Sequence, residues 1–137
     1  MFAYDYALVR AVSVPTGDAV TLGAVLSCRQ ARFLEVRLGD AAEAAARLGL
    51  DAALLARSLE AFRTVAAGGA AAGAVGRLPP SERFHFLTAV RSTALQASPV
   101  RTGVADDPAA ALDRIARLLP APGLHAGHGT PPPASGV

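Results

Sequence analysis

The sequence is poor in large aromatic side chains and in basic residues other than arginine. It has no tryptophan, five phenylalanines and two tyrosines among 137 residues, so few bulky groups are available for a core. All 13 basic residues are arginine, which a GC-rich genome explains most simply. The net charge is only +2, and the arginines are spread among 11 acids. Because nucleic-acid-binding proteins cluster their basic residues, the sequence argues against nucleic acid as the partner.

The sequence also has little that points to a disulfide, a metal or a membrane. A single cysteine, Cys28, excludes an intramolecular disulfide and a cysteine zinc site, and it fits a reducing cytoplasm. We expect its thiol to be buried and inert. Asp5 stands where a secretory signal needs positive charge, and no apolar span of about 18 residues follows. The sequence therefore predicts a cytoplasmic protein with no membrane association, no metal and no cofactor.

The first part of the chain has the pattern of a sheet. Residues 4–14 alternate large and small side chains, a turn follows at 15–18, and a second β-rich run covers 19–28. A third run covers 32–38. Short connections between consecutive strands favour an antiparallel meander. Its exposed face is predicted to carry Arg10, Glu35 and Arg37.

Two details of the first half predict local structure. Gly23, inside the second run, predicts a bulge or a close approach by another backbone. Asp40 is placed to cap a short alanine-rich helix ending at Gly49, and Asp51 to cap a longer helix ending at Gly68. The periodicity therefore changes from strand to helix near residue 40.

The second half predicts two more helices and a tail. The alanine- and glycine-rich run 68–76 is interpreted as a flexible linker, and Pro80 opens a helix. Asp107 caps a last helix that ends at Leu119, and residues 120–137 have the composition of a disordered tail. The prediction is one α+β domain over 1–119, with an antiparallel sheet of three to five strands and about four helices mainly on one face.

The segment from Arg91 to Gly103 concentrates hydroxyls, an amide and two guanidiniums in a chain dominated by alanine and leucine. Such groups need hydrogen-bond partners. One hypothesis is a surface that binds an anion or a protein partner. The alternative is that the groups satisfy one another and the backbone, with Ser98-Pro99 breaking a strand. The candidate binding residues are Arg91, Ser92, Thr93, Gln96, Ser98, Arg101, Thr102, Gly103 and, from the preceding helix, His85.

Residues in this order resemble those of a known family. They are Tyr6 to Arg10, Arg32-Phe33-Leu34, Gly76-x-Leu-Pro, Arg91-Ser92-Thr93-x-Leu-Gln96-x-Ser98-Pro99-Val100-x-Thr102-Gly103 and Asp106-Asp107-Pro108. The pattern is similar to that of the bacterial family of unknown function number 3037, from about Tyr4 to Leu119. The resemblance implies a small stand-alone protein, often encoded beside a HipA-like kinase-fold protein, and hence an accessory role.

The sequence contains no complete catalytic set. His85 lies between two phenylalanines and is read as a structural imidazole in preference to a general base. The function predicted is therefore that of a non-catalytic accessory protein that binds a protein partner, with a HipA-like kinase-fold protein as the partner the resemblance suggests. The alternative is a module for a nucleotide, phosphate or other anionic small molecule, or a small enzyme, centred on 91–103. Nucleic-acid binding ranks third.

Overall fold

The computed structural model describes residues 1–89 and 94–119, which form the predicted α+β fold. The predicted tail, 120–137, lies outside the described residues. The strands are β1 Phe2–Val12, β2 Ala19–Cys28, β3 Phe33–Leu38, β4 Leu95–Ala97 and β5 Arg101–Ala105. The helices are α1 Ala41–Leu48, α2 Ala52–Ala67, α3 Pro80–Thr88 and α4 Pro108–Leu118, with a 3-10 segment, Ala70–Arg77, between α2 and α3.

The strands form one antiparallel sheet in which β1 is central. Its order is β3-β2-β1-β4, and β5 also pairs with β1. β4 pairs with one end of β1, at 9–11, and β5 with the other end, at 2–6. Together β4 and β5 form one interrupted edge of the sheet. The predicted meander and the predicted break at Ser98-Pro99 are both confirmed.

Helices pack on both faces of this sheet, unequally. Helices α1, α2 and α3 pack on one face, here called the three-helix face, where Leu55, Leu59 and Phe84 are almost fully buried. Helix α4 packs on the other, the one-helix face, where Leu112 contacts the cluster of Leu26. Full burial of such a side chain contributes roughly 1.5–3 kcal/mol. The prediction of helices mainly on one face is confirmed, with α4 as the exception.

Strand β2 is buried along its whole length and contains one extra residue. The pairing with β1 passes from Val9 opposite Gly23 to Arg10 opposite Thr21, which leaves Leu22 as the additional residue. Such a bulge reverses which side chains face each way, because alternation along a strand has period two. A Cβ at Gly23 would fall on the carbonyl oxygen of Arg37 in β3. Both predictions for Gly23 are therefore confirmed.

The predicted solvent face of the sheet is partly wrong. Arg10, Glu35 and Arg37 do share a face, but α4 lies on that face. The Nε of Arg37 donates to Oδ1 of Asp113 in α4 at 2.8 Å, and its Nη1 donates to Oε1 of Glu35 at 3.1 Å. The sequence shows that α4 is amphipathic, but it does not show which face of the sheet the apolar side of α4 covers.

The helix ends follow the sequence closely. The carboxylates of Asp40, Asp51 and Asp107 each accept a backbone N–H in the first turn of α1, α2 and α4. Such caps are worth about 1 kcal/mol each. The interpretation of 68–76 as a linker is wrong, since most of it forms the 3-10 segment. Positive φ angles at Gly68, Gly69 and Gly73 permit that path, and the N–H of Gly69 closes it by donating to the carbonyl of Gly76 at 3.0 Å.

Candidate functional site

The polar segment singled out in the sequence forms the β4–β5 edge. Residues 94–103 are described, whereas the predicted binding residues Arg91, Ser92 and Thr93 lie outside the described part of the chain. The remaining candidates are distributed along both strands and the break between them. Their positions separate residues with a structural role from residues that face solvent.

Ser98 has a structural role at the break between β4 and β5. Its backbone N–H donates to the carbonyl of Leu8 at 2.8 Å, and its Oγ accepts from the N–H of Leu8, also at 2.8 Å. The hydroxyl thus replaces the carbonyl that a regular strand would present to β1. Its proton is directed to the carbonyl of Pro99 at 3.2 Å. For this residue the alternative interpretation, internal satisfaction, is correct.

Gly103 and Gln96 also fit the sheet around them. A Cβ at Gly103 would collide with the ring of Tyr4, which lies directly across the strand pair, so any other residue here would displace that ring. An aromatic ring packed over a glycine on the neighbouring strand is a known way to stabilise a sheet edge. Gln96 is partly buried opposite Arg10.

Arg101 and Thr102 are both exposed but project from opposite faces of the sheet, because successive side chains of a strand alternate. Arg101 pairs with Tyr6, on the one-helix face. Thr102 pairs with Asp5 and, together with Asp5, lines a cleft under α3. The two residues therefore do not converge on one ligand.

The cleft under α3 gathers residues from five segments of the chain. It has a volume of about 280 Å³ and lies at the end of the three-helix face. Strands β1, β2 and β5, helix α3 and the β2–β3 turn all contribute to it. The polar side chains in its lining are those of Asp5, Ser27, Arg29, Gln30, Ser81, His85 and Thr102.

Three of these side chains form a row across neighbouring strands. Asp5 of β1 lies directly opposite Ser27 of β2 on one side and Thr102 of β5 on the other. Directly opposite residues of an antiparallel pair have Cβ atoms roughly 4.5–5.5 Å apart. A carboxylate therefore lies between two hydroxyls on a face that is otherwise apolar.

No side chain among the described residues pairs with this row. Ser27 is only 5% exposed, and its hydroxyl forms no hydrogen bond to any other described residue. Asp5 is partly buried and forms no ion pair within the described ranges 1–89 and 94–119. Buried polar groups normally have partners, so unpaired ones that line a cleft are available to a ligand.

The rim of the cleft carries His85 and Arg29, both exposed. The ring of His85 lies beside that of Phe84, with centroids 6.2 Å apart, and the imidazole forms no ion pair with a described carboxylate. Arg29 begins the β2–β3 turn, which ends at Arg32 in the left-handed region with φ of 52°. A positive φ is unusual for a residue with a side chain and holds this turn in a specific shape.

A nearby arginine has a structural role and is not part of the cleft. The Nη1 of Arg83 donates to the carbonyl of Leu78 at 2.6 Å, and its Nη2 donates to the carbonyl of Ala66 at 3.4 Å. A cation at carbonyls near the end of α2 also complements the helix dipole. Arg83 therefore joins α3 to the end of α2.

The sequence predictions identified two of the cleft residues, His85 and Thr102, and missed Asp5 and Ser27. In the sequence, Asp5 argues only against a secretory signal. The alternation along the strand does predict the position of Asp5. It lies on the same face as the buried Ala7, Val9 and Ala11 and is the one acid among them. Ser27 gave no comparable signal, since a serine in an apolar strand is common.

Neither a metal nor a membrane span is indicated by the described residues. No group of three or more His, Cys, Asp or Glu side chains in ranges 1–89 and 94–119 is arranged to hold a metal ion. Within the same ranges, every helix is too short or too polar to cross a bilayer. Cys28 is buried with a free thiol, as predicted.

The fold and the cleft define a small α+β protein with a polar cleft at one end of its sheet. The chain belongs to a family described as "Protein of unknown function (DUF3037)", whose model matches residues 6–119. The family predicted from the sequence is thereby confirmed. No curated protein and no solved structure matches the chain.

Proposed function

We propose that this chain is a non-catalytic cytoplasmic accessory protein that binds a protein partner through the β4–β5 edge of its sheet. The partner suggested by the family resemblance is a HipA-like kinase-fold protein. The observation that carries the proposal is the exposure of β5. Within the described residues, β5 pairs on one side with β1 and with no strand on its other side.

An exposed edge strand is suited to recognition of an extended peptide. Its outward N–H and C=O groups can pair with a further strand, and the side chains beside them provide specificity. Val104 is 60% exposed and Val100, just before the strand, is 46% exposed. Arg101 is the one charged residue of β5. The strand therefore has few charged side chains that would prevent a further strand from pairing with it.

The opposite edge of the sheet provides a contrast. There β3 carries Glu35 and Arg37, which pair with each other, and Arg37 also reaches Asp113 of α4. Charged side chains at an edge hinder further strand pairing. The difference between the two edges favours β5 as the docking edge.

The test uses a purified HipA-like kinase-fold protein from the same genome and isothermal titration calorimetry. Val104→Lys places a charge on the docking edge and should weaken binding at least about tenfold, which is about 1.4 kcal/mol. Val14→Lys is the matched control, because Val14 is 62% exposed in the β1–β2 turn. The control should bind like the unmodified chain.

Two results would contradict the proposal. If the chain stays monomeric in the presence of the kinase-fold protein and returns alone from an affinity pull-down in its host, the partner hypothesis fails. If both lysine variants bind equally well, the partner does not use β5.

The alternative function, a nucleotide- or phosphate-binding module or a small enzyme, has weaker support. Arg101 and Thr102 project from opposite faces, and Arg91 lies outside the described residues. A thermal-shift screen with nucleotides and phosphorylated metabolites tests it, because a ligand that binds the native state raises the melting temperature. Nucleic-acid binding, the third possibility, requires an association that weakens steeply with salt.

A further inference from the structure

We propose that the cleft under α3 is a binding site for a small zwitterion, with the primary ammonium group of the ligand held by Asp5, Ser27 and Thr102 and its anionic group directed to Arg29. This site is separate from the docking edge and does not depend on the proposed protein partner. Free amino acids and ω-amino acids have the required chemistry.

The row of three residues matches the donor pattern of an ammonium group. A primary ammonium carries three N–H donors and no acceptor. Asp5 supplies a carboxylate, and Ser27 and Thr102 supply hydroxyl oxygens from the two flanking strands. Three acceptors on three adjacent strands can therefore take one donor each, and the carboxylate compensates the positive charge.

The absence of a described partner leaves the hydroxyl of Ser27 open to a ligand. Ser27 as a residue is only 5% exposed, and no other described residue bonds to its hydroxyl, which keeps some access to solvent. A hydroxyl that no protein group satisfies keeps its capacity to accept a hydrogen bond from a ligand. Because Ser27 lines the cleft, a bound molecule can reach it.

The cleft is lined by charges of both signs, which indicates a ligand that carries both. Asp5 and Arg29 line the same space but form no ion pair with each other. Each is an unpaired charge among the described residues. A molecule with an ammonium at one end and a carboxylate at the other would pair with both, which a simple amine or a simple acid would not do.

The apolar part of the lining suits a short carbon chain between the two charged groups of the ligand. Phe84, which is 1% exposed, contributes to the lining, as do Ala3 and the exposed His85. A cleft of about 280 Å³ is close to the lower end of the size range of small-molecule sites, roughly 300–1,000 Å³. It therefore suits a ligand of few heavy atoms.

The experiment is an NMR titration of the isotopically labelled full chain. The probes are glycine, 4-aminobutanoate and 6-aminohexanoate, with butanoate and butylamine as single-charge controls, each up to about 10 mM, which detects millimolar dissociation constants. We expect saturable shifts of the Asp5, Ser27 and Thr102 amides with at least one zwitterion. Each single-charge control should bind at least about tenfold more weakly.

Variants identify which side chains hold the ligand. Asp5→Asn should weaken binding at least about tenfold, whereas Asp18→Asn, at an exposed acid in the β1–β2 turn, should leave it unchanged. Thr102→Val removes the hydroxyl of an exposed residue, so it should leave the stability of the fold nearly unchanged. It should also weaken binding. Arg29→Gln should weaken zwitterion binding and leave butylamine binding unchanged.

Several outcomes would overturn the proposal. They are the absence of a saturable shift with every zwitterion, equal binding of zwitterions and single-charge controls, or shifts confined to residues away from the row. Unchanged binding by both Asp5→Asn and Thr102→Val would do the same. If Asp5→Asn unfolds the chain, Thr102→Val alone decides the outcome.

Discussion

The three-helix face of the sheet has two ends, and they differ in how their side chains are satisfied. At the closed end, Val9 and Ala11 of β1 are fully buried among apolar side chains of β2 and the helices. At the open end, the same alternation directs Asp5 and Ser27 inward, beneath α3. Apolar side chains need only close packing, whereas polar ones need partners, and the described residues provide none for this pair.

The comparison shows that one strand pair can serve stability at one end and recognition at the other. Alternation decides which side chains face inward, and residue type decides what burial costs. Substitutions should therefore destabilise the closed end strongly and the open end weakly. The following predictions test that difference, from the largest effect to the smallest.

The largest effect is expected at the closed end. Leu59 of α2 is 2% exposed, so Leu59→Ala removes buried apolar surface and leaves a cavity. The free energy of unfolding should fall by about 2–5 kcal/mol in urea denaturation. Leu54→Ala, in the same helix but 55% exposed, is the control and should change it by less than about 0.5 kcal/mol.

The β4–β5 break should be the next most sensitive position. Ser98→Ala removes the acceptor of the Leu8 N–H and should lower the free energy of unfolding by about 1–3 kcal/mol. Thr102→Val removes a hydroxyl that faces the cleft and should change it by less than about 0.5 kcal/mol. Equal losses in urea denaturation would show that the two hydroxyls do not differ in role.

The open end should tolerate loss of its polar groups. Ser27→Ala removes a hydroxyl that has no described partner from a buried residue, so the free energy of unfolding should stay within about 0.5 kcal/mol of the original value or rise. Val25→Ala, two residues away on the same strand and face, should cost about 2 kcal/mol. A large loss for Ser27→Ala would indicate that the hydroxyl supports the fold.

The smallest effect is expected at the surface pair between the sheet and α4. Asp113→Asn weakens the contact between Arg37 and Asp113, whose side chains are 36% and 51% exposed. The free energy of unfolding should therefore fall by about 0.5 kcal/mol or less. The hydrogen bond from Arg37 to Asp113 raises the pKa of Arg37, against an opposing effect of desolvation. A raised pKa of a cation stabilises the fold at all pH values below the unfolded pKa.

The contribution of this pair to the free energy of unfolding should therefore stay constant between neutral and mildly alkaline pH. The contribution of Arg37 would be lost only as pH rises through its raised pKa, well above physiological conditions. Thermal melts in low and high salt measure the contribution of the Arg37–Asp113 attraction to stability, which should shrink as salt screens the pair. A difference between the unmodified chain and Asp113→Asn that grows with salt would contradict this assignment.

Much of the fold could be predicted from local patterns. The three strands of the meander, the caps at Asp51 and Asp107, and the broken strand at Ser98 all follow from alternation, capping chemistry and a proline. The 3-10 segment could not be predicted in this way, because its closure depends on a contact between Gly69 and Gly76 that composition does not reveal.

The candidate site was predicted only in part. The polar segment did lead to Thr102, and the helix before it to His85, and both line the cleft. In the sequence, the hydroxyl of Ser98 looks equivalent to that of Thr102. In the structure, the Ser98 hydroxyl already accepts a hydrogen bond from the backbone N–H of Leu8. Whether a polar group is available depends on what lies opposite it across a strand pair, and the sequence does not state that register.

The sequence by itself determined the order of the elements, their approximate bounds and the family, because these depend on short-range periodicity and on motifs. The tertiary structure alone decided that α4 covers the second face of the sheet, and that Asp5, Ser27 and Thr102 form a row. Pairing of β1 with strands distant in sequence creates that row. Its chemistry is therefore a property of the assembled sheet and of no single segment.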